Sequence, residues 1–154
     1  MEEIVKRHEN KLLRAAAAIT GSYAEAEDVV QDVFMKLFEK QPVFVSEEHE
    51  AAWLMRVTVN ASKSRLRSGW FKRTVPLLDV YPAQNEQQQS LVQSVLALPS
   101  KYRTVIHLFY YEGYASKEIA QITQQSEPAV RQQLRRARSM LKDVLEGEME
   151  HEAI

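Results

Sequence analysis

The feature that most restricts the fold is the spacing of apolar residues, which recurs in steps of three and four along most of the chain. Ala26, Val29, Val30, Val33, Phe34, Leu37 and Phe38 form the clearest run. A helix brings such positions onto one stripe, whereas a half-buried strand would alternate them. Ser22 followed three residues later by Glu25 makes a capping box and predicts a helix start near Tyr23. An earlier helix is predicted from about Glu2 to Thr20, carrying Ile4, Leu12, Leu13 and Ile19. Its alanine run, Ala15 to Ala18, lets a neighbouring helix approach closely. A third helix should begin near Ser46, after the break at Pro42, and continue through Trp53, Leu54, Val57 and Ala61 towards Leu66.

Between about Thr74 and Gln89 the period is lost. That stretch, TVPLLDVYPAQNEQQQ, holds Pro76, Pro82 and a glutamine cluster, and reads as a flexible linker. Its roughly 16 residues could separate their ends by about 55 Å when fully extended. After it come Leu91 to Leu98, then a helix opening at Pro99, with Val105, Ile106, Leu108 and Phe109, that stops at Gly113. A short helix follows from about Ser116, with Ile119, Ala120 and Ile122 inward. A turn over Gln124 to Ser126 leads to a final helix near Pro128, with Val130, Leu134, Ala137 and Leu141 inward. Only 4 Gly and 5 Pro in 154 residues leave little material for the tight turns of a β-sandwich. The expected fold is all-α: two small helical domains, 1–73 and 91–154, joined by a linker over 74–90. The second contains a helix-turn-helix.

Several chemistries are absent. With no cysteine, disulfides, thiolate metal sites and thiol catalysis are excluded. The four His residues show no HExxH spacing, and the four Gly are too dispersed for a phosphate-cradling loop. No enzymatic activity, cofactor or metal is expected. The N-terminus, MEEIVKRHENK, is charged and lacks the apolar stretch of a signal peptide. No apolar run approaches the ~20 residues that span a bilayer, so no membrane insertion is expected and the predicted compartment is the cytoplasm.

The net charge of -1 hides three segregated patches. Residues Gly21 to Glu50 hold eight acidic and two basic residues. There Glu27, Asp28, Gln31, Asp32, Met35 and Lys36 lie off the apolar stripe, as a protein-docking face or simply a solvated one. Residues Arg56 to Arg73 hold six basic residues and no acidic one. Arg56, Lys63, Arg65 and Arg67 with Asn60, Ser62 and Ser64, and with Trp70 and Phe71 as stacking platforms, suit single-stranded nucleic acid. A charged helix end with packed aromatics is the plain alternative. Residues Ser126 to Lys142 hold five basic residues and one acidic. Arg131, Gln132, Arg135, Arg136 and Arg138 on the outer face of the last helix suit duplex DNA, base edges and phosphates alike. A solvated basic face is the bland reading. Charge that looks neutral in total therefore favours a nucleic-acid partner once it is mapped. The acidic end, with five carboxylates from Asp143 onward, could weaken DNA binding by the free chain.

These surfaces, in this order, resemble the extracytoplasmic-function (ECF) sigma factors of bacterial RNA polymerase. AEAEDVVQDVFMKLFEK at 24–40 resembles the family's region two, where an acidic-glutamine helix docks on a coiled coil of the polymerase β′ subunit. AAWLMRVTVNASKSRLR at 51–67 is similar to the segment that melts and reads the minus-ten element, with Asn60 at the start of the specificity segment. LALPSKYRTVIHLFYYEGYASKEIAQI at 96–122, with AVRQQLRRAR at 129–138, resembles region four, whose helix-turn-helix reads the minus-thirty-five element. The resemblance implies a dissociable promoter-specificity subunit without catalytic residues. It implies that Asp28, Gln31, Asp32, Met35 and Lys36 bind core polymerase. Arg56, Asn60, Lys63, Ser64, Arg65 and Arg67 would bind the minus-ten DNA, and Arg131, Gln132, Arg135, Arg136 and Arg138 the minus-thirty-five DNA. It also implies an anti-sigma factor as a partner. One departure is Pro128-Ala129, where the family often has Gly-Thr: Ala129 lacks a hydroxyl that could contact phosphate.

Overall fold

The computed structural model describes residues 2–68, 80–81 and 85–152, with side chains as far as Asp143. Every element among these residues is helical: α1 (Glu2–Thr20), α2 (Tyr23–Lys40), α3 (Glu47–Ser68), α4 (Glu86–Ala97), α5 (Ser100–Ile106), α6 (Ser116–Thr123) and α7 (Glu127–Glu152). A π-helical turn, His107–Tyr111, prolongs α5. The chain divides into two compact units, the first holding Met1–Val75 with Gln121–Gln124 and the second Pro76–Ala120 with Gln125–Ile154.

In the first unit α1, α2 and α3 pack mutually as a three-helix bundle. The four alanines of α1 are completely buried, beside Leu12, Val29, Val33, Leu54, Met55 and Val59. Small side chains let the helix backbones come close, and Ile19, Phe34 and Leu37 fill the rest of the core. The connections follow local chemistry. Gly21 adopts φ 73 and its N–H bonds Ala17 O at 2.8 Å, a left-handed stop that glycine reaches at no steric cost. The capping box forms only by half. Ser22 Oγ accepts from Glu25 N at 3.3 Å, but the Glu25 carboxylate turns away to Arg65. The Ser22 N–H is met instead by Thr20 Oγ1 at 3.3 Å. Gln41 at φ 43 ends α2, its N–H bonded to Leu37 O, and Ser46 Oγ starts α3 by accepting from His49 N at 3.0 Å.

In the second unit α7 packs on α4 and α5. Ile119, Ala120, Ile122, Val130, Leu134 and Ala137 are buried, as the helical spacing predicts. The helix-turn-helix corner is closed by Gln125 N to Ala120 O at 2.9 Å, with Gln124 at φ 57. Ser126 Oγ caps α7 by accepting from Ala129 N at 3.2 Å. Arg103, almost fully buried, donates to the carbonyls of Leu96 and Leu98 and so binds the end of α4 to α5.

Two observations shorten the linker expected over 74–90. Helix α4 begins inside it, at Glu86, because Asn85 Oδ1 accepts from Gln88 N at 2.8 Å and so satisfies an orphan donor of the first turn. Val80 is fully buried and belongs to the second unit. Leu77 and Leu78 lie outside the described residues, as do Trp70, Phe71, Lys72 and Arg73.

Candidate nucleic-acid interface

Helix α3 opens with Glu47, Glu48 and Glu50 and closes with Arg65 and Arg67, each charge complementing the nearer end of the helix dipole. Its basic residues do not share one face. Arg56, Asn60, Lys63 and Arg67 follow the three-four step and form a single stripe, with Ser64 at its edge. Arg56, Ser64 and Arg67 are exposed and Asn60 and Lys63 half-buried. The Arg67 guanidinium donates to Ser64 Oγ at 3.1 Å. Partial burial, with Arg67 adding repulsion, holds the Lys63 amine below the usual lysine range. A phosphate beside this stripe would therefore relieve charge strain as well as form ion pairs. Ser62, counted among the polar groups of this patch, is completely buried and unavailable to a ligand.

Arg65 lies nine residues from Arg56, half a turn round the helix, and faces α2. It reaches Glu25 at 2.9 Å, Asp32 at 3.4 Å and Asp28 at 3.9 Å. Those three carboxylates sit at spacings of three and four, on one stripe of α2. The geometry thus separates Arg65 from the other basic residues of α3 and brings it together with Asp28 and Asp32, from the candidate docking face.

The docking face itself has two sides. Gln31 and Met35 border a groove between α1 and α2 of about 570 Å³, lined by Val5, Leu13, Val30, Phe34 and Phe38 together with Glu9 and Glu27. Met35 and Lys36 also border a second groove, of about 420 Å³, between α2 and α3, with Asp32, Ser64 and Arg65. Met35 and Phe38 are exposed, at 57% and 39%. Phe38 and the α1 residues were not legible as part of this face. Phe38 continues the buried stripe by spacing, yet it is exposed.

On α7 the five polar and basic residues also separate. All five are exposed, and Arg131, Gln132 and Arg135 lie within the first three turns, towards the end by which a helix enters a groove. Glu127 accepts from Arg131 at 2.9 Å and from Ser116 Oγ at 3.2 Å, tying the starts of α6 and α7 together and orienting the Arg131 fork. Further along, Arg136 hydrogen-bonds the Tyr102 hydroxyl, which draws that phenol below its usual range, with Lys101 assisting. The Arg138 guanidinium lies over the rings of Phe109 and Tyr110, each centroid 5.5 Å away, and donates to Tyr110 Oη. Those two arginines fasten α7 to the body of the unit.

Comparison with known proteins bears on the same stretches. The model of Sigma-70 region 2 matches residues 4–72, and that of Sigma-70 region 4 matches residues 88–141. The ECF RNA polymerase sigma factor SigL of Mycobacterium tuberculosis is 30% identical over 131 residues, covering 78% of this chain and 74% of its own. The chain belongs to the ECF RNA polymerase sigma factors. Another relative of this sigma factor, SigM of M. tuberculosis, is 28% identical over 149 residues, covering 94% of this chain and 76% of that one. Among solved structures, the sigma factor RpoE of Bartonella quintana, crystallised with the anti-sigma factor NepR, superposes with a TM-score of 0.76. It is 24% identical and covers 94% of this chain and 96% of that one, which shows a shared fold. The region 2 match spans the bundle α1–α3, and the region 4 match runs from within α4 into α7. Among the described residues no helix is long and apolar enough to cross a membrane.

Proposed function

We propose that this sigma factor divides its work between its two units: residues 1–73 hold core polymerase and capture the opened minus-ten strand, and residues 91–154 read the minus-thirty-five duplex. The observation that carries the reading is the sorting of charge on α2 and α3. Asp28, Gln31, Asp32, Met35 and Lys36 face away from the core on one helix, while Arg56, Asn60, Lys63 and Arg67 form one accessible stripe on the next. A protein partner can occupy the first surface while a nucleic-acid strand lies along the second.

On the second unit, Arg131, Gln132 and Arg135 contact base edges and phosphates, and Arg136 and Arg138 hold the helix that presents them. Strand opening needs no nucleotide-hydrolysing group in this chain. Unstacking costs a few kcal/mol, which contacts available only to the extruded bases offset. The chain is a cytoplasmic initiation factor with no catalysis of its own. An anti-sigma factor covers these surfaces in the resting state, a reading supported by the RpoE–NepR pairing.

The test is run-off transcription with bacterial core polymerase on a library of genomic fragments. Promoter-dependent initiation, lost in an Arg131→Ala/Arg135→Ala variant, is expected. Absence of both initiation and core binding would refute the reading.

A further inference from the structure

The sequence between the two family-matched stretches reads as a tether, yet two of its residues are held. Val80 is fully buried, and the hydroxyl of Tyr81 lies 2.6 Å from Nδ1 of His107. The His107 ring is buried at 1% exposure, and its Nε2 lies 3.1 Å from Oε1 of an equally enclosed Glu112. In an α-helix, residues five apart point to opposite sides. Here the π turn, closed by Glu112 N to His107 O at 3.0 Å, brings Glu112 back beneath His107. Nε2–H donates to Glu112, which leaves Nδ1 as the acceptor for Tyr81. Burial raises the Tyr81 pKa far above its usual range, so the phenol keeps the proton it donates. Tyr111 completes the socket, stacked on His107 and edge-on to Tyr81, with centroids 5.2 Å from each.

A polar socket built into an apolar wall, with an acceptor aimed at one tether residue, is more than incidental packing. Withdrawing Tyr81 strands Nδ1 without a partner, which disfavours release by on the order of tenfold or more. We infer that Tyr81, docked on the His107–Glu112 pair, is a specificity-determining residue that limits how far apart the two promoter elements can lie. This rests on the assignment of one element to each unit. From Ser68 to Val80 there are 12 residue steps, a reach of about 40–43 Å at 3.3–3.6 Å each. Release as far as the start of α4 at Glu86 adds six steps, or about 20 Å, comparable to about six base pairs at 3.4 Å.

The experiment is holoenzyme transcription from promoters of one sequence whose spacer is lengthened by one to six base pairs. Wild type is compared with Tyr81→Phe, which keeps the ring and removes the hydroxyl, and with Tyr81→Ala. A wild-type chain lengthened by six Gly/Ser residues between Val75 and Pro76 is the reach control. Both Tyr81 variants and the lengthened chain are expected to raise initiation on the longer spacers by roughly fivefold or more relative to the optimum, with the optimum itself nearly unchanged. An unchanged spacer profile, or an equal loss at every spacer, would overturn the proposal. So would a lengthened chain with the wild-type profile, because reach would then not be limiting. Amide hydrogen exchange of residues 80 and 81 in the free full chain provides a readout independent of transcription. It should quicken about tenfold in Tyr81→Phe, and unchanged exchange would refute the docking. If no promoter supports initiation, the assignment of elements fails and the spacer role with it, while exchange still decides whether Tyr81 is held.

Discussion

Replacing Arg65 by Ala separates two roles that the basic run on α3 would otherwise blur. The guanidinium lies 2.9 Å from Glu25, whose side chain is 21% exposed, and within 4 Å of the more exposed Asp28 and Asp32. Exposed pairs contribute ~0.2–1 kcal/mol, so the half-buried Glu25 pair is placed at about 1 and the other two together at about 0.5. Truncation also leaves three carboxylates on one helix stripe repelling each other. A loss of about 1.5 kcal/mol lowers the melting temperature of a unit this size by about 6–12 °C. Thermal unfolding of the full chain, followed by circular dichroism, measures it. The loss should shrink in 1 M salt, where the screening length is about 3 Å. Adding Glu25→Gln to Arg65→Ala should restore part of it, a coupling of about 0.5–1 kcal/mol. Single-stranded promoter DNA should bind Arg65→Ala within about twofold of wild type, and Arg56→Ala several-fold more weakly, since only Arg56 lies on the exposed stripe. A melting temperature unchanged within about 1 °C, with DNA affinity reduced as far as in Arg56→Ala, would refute the assignment.

Three further outcomes follow from the same geometry. Arg131→Ala should reduce the dependence of duplex binding on log salt by about one unit, whereas Arg138→Ala, losing its ring contacts, should lower thermal stability and leave that slope nearly unchanged; salt titrations by fluorescence anisotropy distinguish them. Tyr81 has a raised folded pKa, so its contribution is complete below the ordinary tyrosine value of ~10 and is lost as pH rises towards the folded one; wild-type stability should fall there by up to about 1.4 kcal/mol per pH unit more steeply than that of Tyr81→Phe, in urea unfolding between pH 9 and 11. Asn85→Ala removes the cap of α4 and should cost about 1 kcal/mol, read as a lower urea midpoint with unchanged slope.

The helices α1, α2, α6 and α7 were legible because each buries an apolar stripe, and a stripe is a property of spacing alone. Helix α3 starts where Pro42 and Ser46 place it, but it buries Glu50, Thr58 and Ser62 beside Leu54, Met55 and Val59, and leaves Trp53, Val57 and Ala61 half-buried. Asn85 was a missed signal: it stands three residues before Gln88, the arrangement that caps a helix, but the prolines and glutamines around it carry no period. The π turn at His107 was not read from the sequence, and neither was the contact of His107 with Tyr81, which comes from 26 residues away. Arg65 was legible in part. Counting 100° per residue puts it opposite Arg56, but nothing local says that Glu25, Asp28 and Asp32 wait on that side.

The sequence by itself determined the helical class and the alternation of acidic and basic surfaces, because these depend on period and on charge along the chain. Only tertiary structure decided which charges remain outward. Arg56 and Arg65 have the same chemistry, and so do Arg131 and Arg138. Arg56 is exposed whereas Arg65 is half-buried against carboxylates of α2; Arg131 and Arg138 are both exposed, but Arg138 lies over aromatic rings from elsewhere in the fold. Ion pairs and ring contacts act over a few ångströms, so they depend on which helix faces lie opposite each other, which the order of residues along one helix does not specify.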